Sequence, residues 1–89
     1  MPRIFFHIHN GDGFTPDEEG REFGSVDAAA TEALRDIRSI ISEEVKAGRA
    51  DLRGRVELVD ESGRLLRVVQ FRDAVEIPEG PLPEELGAG

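Results

Sequence analysis

The stretch SVDAAATEALRDIRSIISEEVKA, residues 25–47, decides the fold: it reads as one long helix, and the flanking sequence reads as strand. Ser25 is suited to the N-cap, because its hydroxyl can accept a hydrogen bond from a free N–H of the first turn. Asp27 then sets negative charge against the positive end of the helix dipole. Val26, Ala30, Ala33, Leu34, Ile37, Ile40, Ile41 and Val45 recur in steps of three and four, which places them on one apolar stripe. Glu32, Arg35, Asp36, Arg38, Ser39, Ser42, Glu43 and Lys46 fall on the opposite, solvated face. Gly48 supplies the left-handed residue that commonly ends a helix. Glu44 interrupts the stripe and is expected to overhang the sheet edge, reaching water or an arginine such as Arg53 or Arg55.

Outward from the helix, Arg3 to His9 alternates as a strand, with Ile4, Phe6 and Ile8 on one side and Phe5, His7 and His9 on the other. Asn10-Gly11-Asp12-Gly13 has the chemistry of a turn. The acid-rich segment that follows has no clear period. It fits a short edge strand around Gly20 to Phe23, with Phe14 and Phe23 as its anchors to the core. After the helix come two strands, Arg53 to Asp60 and Arg64 to Phe71. The segment Asp60-Glu61-Ser62-Gly63-Arg64 joins them as a type I turn closed by a glycine bulge. Counting outward from an Asp60–Arg64 pair, Leu58 faces Leu66 and Val56 faces Val68 on one side. On the other side Val59 meets Leu65, Glu57 meets Arg67 and Arg55 meets Val69, an order that sets opposite charges across from each other.

The expectation is an α+β domain over residues 1–77, with a single long helix on one face of a small antiparallel sheet in the order β-α-β-β. Residues 78–89, rich in proline and glycine, are expected to be a flexible tail. One helix cannot cover two apolar faces. The second face is expected to carry Phe5, His7, His9, Val59, Leu65, Val69 and Phe71, and soluble monomers seldom leave such a patch wet. Two covers suggest themselves: a second copy of the chain, or a C-terminal arm folded back through Val75 and Ile77.

Composition narrows the function classes. Eighty-nine residues make one small domain with a thin core that oligomerisation would help. Without cysteine there is no disulfide framework and no thiolate ligand or nucleophile. A formal net charge of −8 argues against a broad nucleic-acid surface. No apolar run approaches a membrane span and the start does not read as a signal peptide, so a cytoplasmic location is expected. His7 and His9, two apart on one strand face, are the candidate metal ligands; a zinc site needs at least a third, for which Asp12, Asp17 and Glu18 are near in sequence. No serine or threonine is tied by motif to a histidine and an acid, and no glycine-rich loop leads from a strand into a helix. The reading is therefore a non-enzymatic interaction domain without a cofactor, self-associating as a homodimer.

The opening Met1-Pro2-Arg3-Ile4-Phe5-Phe6-His7, the run Asp17-Glu18-Glu19-Gly20 and the closing Phe71-Arg72-Asp73-Ala74-Val75 resemble a family of short uncharacterised proteins found mainly in alphaproteobacteria. Asp51-Leu52-Arg53-Gly54-Arg55 belongs to the same likeness, which spans the chain to about Ile77 and implies no activity. A looser similarity, resting on Asp17, Gly20 and the Ala-rich helix, is to HicB-like antitoxins; it implies a regulatory module with a protein partner.

Overall fold

The computed structural model describes residues 2–82. Strand β1 (Arg3–Asn10) is followed by two short strands, β2 (Gly13–Thr15) and β3 (Arg21–Glu22), then by helix α1 (Val26–Lys46) and strands β4 (Arg55–Asp60) and β5 (Leu65–Gln70). The five strands form one antiparallel sheet in the order β2-β1-β4-β5, with β3 pairing β1 on the edge that β2 also uses. The fold is α+β, as expected, with the helix on one face. The expected edge strand is present as β3, and β2 joins β1 in a hairpin through Gly11 and Asp12. Among the described residues no helix is long and apolar enough to cross a membrane.

Helix α1 starts as its sequence dictates: Ser25 Oγ accepts from the Ala28 N–H at 3.0 Å. Its fully inward positions are Ala29, Ala33, Ile37 and Ile41, a four-residue period with small residues first and isoleucines last. Val45 continues that period but overruns the sheet and is 57% exposed, contrary to its place on the expected stripe. Glu44 does not reach an arginine; its Oε1 accepts from the Asp51 backbone N–H at 3.3 Å. The helix buries its stripe against Ile4 and Phe6 of β1 and Val56 and Leu58 of β4. Phe23 stacks on Phe6 with ring centres 5.5 Å apart, so it anchors its segment as expected; Phe14, 55% exposed, does not.

The register of β4 and β5 departs from expectation. The turn is as read: the Asp60 N–H donates to the Arg64 carbonyl and Val59 pairs with Leu65. A β-bulge follows. Leu58 pairs with Arg67, Glu57 with Val68 and Val56 with Val69, so Leu66 is an extra residue in the ladder. A one-residue shift moves every later side chain to the other face. Val68 turns outward, while Val69 and Phe71 turn under the helix, where Phe71 is fully buried. Both had been expected on the uncovered face. The magnitudes account for the difference. Val69 takes under the helix the place Val68 gives up, so the net gain is the burial of Phe71, about 1.5–3 kcal/mol. The Glu57–Arg67 cross-strand pair lost in exchange contributes only about 0.2–1 kcal/mol. Arg67 finds another acid instead, Asp27 in the first turn of α1, at 2.8 Å.

Phe71–Asp73 forms a single 3₁₀ turn, after which Ala74 is buried and Val75 packs against the same helix-side core. Arg38 Nε donates to the Ala74 carbonyl at 2.6 Å and ties this arm to the helix. The arm therefore does not fold over the other side of the sheet, and Ile77 is 62% exposed. Residues 78–82 belong to no helix or strand, and the remainder of the expected tail, 83–89, lies outside the described residues.

Candidate functional site

Alternation along each strand assigns the side chains of the helix-free face, since their neighbours lie in the helix-side core. Three rows cross it. Phe14, His9, Arg55 and Gln70 form the first, His7, Glu57 and Val68 the second, and Phe5, Val59 and Leu65 the third. Five of the seven candidates are thus brought together: Phe5, His7, His9, Val59 and Leu65. Val69 and Phe71 are not among them, for the reason the bulge gives. Phe14 and Val68 take their places, where the sequence alone predicts a core anchor and a partner of Val56 on the covered side. For Phe14 a signal existed, because a Gly-Asp pair between Asn10 and Gly13 is hairpin chemistry that carries the next residues back along β1. For Val68 there was none, since the bulge leaves no local mark.

The face is apolar at two ends and polar between. Phe14 is 55% exposed, Leu65 52% and Val68 39%, while Val59 is buried although it stands outside the helix-side core. In the middle His9 Nε2 lies 2.9 Å from Glu57 Oε1, its N–H donating, and Arg55 Nε lies 3.6 Å from the other carboxylate oxygen. The His9 hydrogen bond, with the charges of His9 and Arg55, holds the Glu57 carboxyl below the usual range against the opposing effect of burial. The Phe14 ring sits on His9, centres 4.5 Å apart, and meets His7 edge-on at 5.8 Å.

A turn closes the edge of β1 between β2 and β3. Asp17 occupies it as a strand partner would: Oδ2 accepts from the Phe6 N–H at 3.1 Å, and Oδ1 accepts from Glu19 and Gly20 at 3.2 and 3.1 Å. The Asp17 N–H in turn donates to His7 Nδ1 at 3.0 Å. Burial pushes the Asp17 carboxyl up, but the Gly20, Phe6 and Glu19 N–H groups and the Arg21 charge outweigh it and hold it low. Gly20 is left-handed, with φ +68°, and a Cβ there would lie 2.9 Å from the Phe5 ring, so the turn packs directly on Phe5. Arg3 fastens it from below, donating to the Glu19 and Gly20 carbonyls.

Each histidine thus has one ring nitrogen in an internal hydrogen bond, His7 Nδ1 with the Asp17 N–H and His9 Nε2 with Glu57. Asp17 is held by backbone, and among the described residues no three His, Asp or Glu side chains gather closely enough to share an ion. On the helix side, a cleft of about 300 Å³ lies between β1 and α1, floored by Phe6, Ile8, Ile40 and Val56. Arg21 and Asp36 bridge its rim at 2.8 Å.

Compared with known proteins, residues 3–72 match the model of a family described as Domain of unknown function (DUF6894). No curated protein matches the chain, and no solved structure does.

Proposed function

The chain belongs to the family described as Domain of unknown function (DUF6894), which brings no activity with it, and we propose from the geometry that it is a small non-enzymatic interaction domain that self-associates through the helix-free sheet face. The observation that carries this reading is the exposure on that face of Leu65 and Val68, beside the buried Val59, and of Phe14 on the opposite flank. Large apolar side chains exposed on one side of a sheet, even at its two flanks, are surface that association removes from water. Charge favours the same face. The protein carries a formal charge of −8, yet the three rows hold one acid, Glu57, which is already paired with His9 and Arg55. Two copies can meet here without facing acid against acid.

Three strands of about 20 Å and the short β2 of about 10 Å, spaced about 4.8 Å apart, present a flat area of about 340 Å² per copy. A stable interface uses about 800 Å² per partner, so a weak dimer is expected. Sedimentation velocity across the micromolar range tests it. A mass rising from monomer to dimer, and held at monomer by Val68→Asp, supports the reading; a wild-type monomer throughout removes it.

A further inference from the structure

We propose that the outer edge of β5 is a docking edge for an extended, acidic segment of a partner protein, which adds a strand to the sheet there. Among the described residues β5 ends the order β2-β1-β4-β5, and no strand lies beyond it. The ladder with β4 fixes which backbone groups look outward. The Phe71 N–H donates to the Gly54 carbonyl, so Val69 and Arg67, in phase with Phe71, also turn theirs toward β4. Val68 and Gln70 turn N–H and C=O away from the sheet, and among the described residues no backbone group takes them. The opposite edge is closed: β2, β3 and the Asp17 carboxylate between them take up outward groups of β1. β5 runs six residues without proline and has no such cover among the described residues, which makes it a template for another strand.

Charge selects the occupant. The run from Arg64 to Arg72 holds three arginines and no acid, in a protein of formal charge −8. Arg67 is paired with Asp27, but among the described residues Arg64 and Arg72 enter no ion pair. Glu57, the acid across from Val68 on β4, is already held by His9 and Arg55. A second copy fits this edge poorly. Two antiparallel registers join most of β5 to itself with outward groups in phase, centred on Val68 or on Arg67. The first sets Arg64 of each copy against Arg72 of the other, and the second sets the two Arg67 side chains together. Like charges across a ladder are destabilising. An acidic segment meets these arginines with opposite charge, and apolar residues in it cover the exposed Leu65 and Val68. The contact lies in the plane of the sheet, beside the helix-free face, so it goes beyond self-association and does not depend on it.

The test titrates the isotope-labelled chain, at concentrations where monomer dominates, with two synthetic peptides. One is acetyl-Glu-Thr-Val-Glu-Val-Thr-Glu-amide, and the other has lysine in place of each glutamate. Saturable amide shifts centred on Val68 and Gln70, with exchange of their N–H groups slowed about tenfold or more, support the proposal when the lysine peptide causes neither. Shifts centred on the helix-free face, equal binding of the two peptides, or no binding at millimolar peptide overturn it. Gln70→Pro then removes one outward donor. Gln70 has φ −88°, near the value proline imposes, and its N–H makes no ladder bond, so the sheet keeps its pairing. The Kd for the acidic peptide is expected to rise about tenfold or more, and an unchanged Kd overturns the proposal. A wild-type dimer that Gln70→Pro abolishes in sedimentation assigns the edge to a second copy, and also overturns it. Should Gln70→Pro fail to fold, Arg64→Glu/Arg72→Glu replaces it under the same requirement.

Discussion

The Asp17 backbone N–H donates to His7 Nδ1 at 3.0 Å, while the Asp17 carboxylate takes the Phe6 N–H next to it. Side chain and backbone of one residue thus exchange bonds with two consecutive residues of β1. This closes the strand edge where no strand pairs with it, between β2 and β3. The cost of leaving a backbone donor bare at a sheet edge explains why an acid stands there.

Replacing Asp17 with alanine removes three acceptor bonds at a half-exposed site, and a loss of about 1–2 kcal/mol in unfolding free energy is expected at neutral pH. The Asp17 carboxyl titrates below its unfolded value of roughly 3.9. Its contribution is therefore complete above that value and is lost as pH falls through the lower folded one. Urea unfolding of wild type and Asp17→Ala should show a gap at pH 7 that narrows in acid. A gap independent of pH contradicts the assignment.

Phe71→Ala and Phe14→Ala separate the two faces. The first empties a fully buried position and is expected to cost about 3–5 kcal/mol, enough to unfold much of so small a domain. The second removes an exposed ring, and a change within about 0.5 kcal/mol is expected for the monomer. Thermal melts at concentrations where monomer dominates measure both.

Deleting Leu66 tests the bulge. Without the extra residue the ladder is regular: Arg67, Val68 and Val69 keep Leu58, Glu57 and Val56 as partners, and Val69 and Phe71 stay under helix α1. A cooperative thermal transition is expected to survive, lowered only by the lost packing of the Leu66 side chain. Loss of the transition would show that the bulge does more than set which face Val69 and Phe71 take.

Gly20→Ala forces a Cβ to within 2.9 Å of the Phe5 ring at a left-handed position, and a destabilisation of about 1–3 kcal/mol is expected. Gly13→Ala is a control: its φ is also positive, but nothing lies within 4 Å of the added carbon. Chemical denaturation of the two variants separates crowding against Phe5 from backbone strain, which both share.

Residues 25–47 determined the helix by themselves, from cap to end, because helical periodicity and capping act within a few residues. Alternation likewise marked β1, β4 and β5, and Asp60 to Arg64 marked the turn between the last two. The candidate face was legible as far as β1 could show it: Phe5, His7 and His9 stand where alternation put them. What only the tertiary structure decided is which face each residue of β5 took after Leu65. The bulge at Leu66 has no local cause. It exists because Phe71 gains more by packing under a helix some thirty residues earlier in the chain than Glu57 gains from Arg67 across the ladder, Val69 merely replacing Val68.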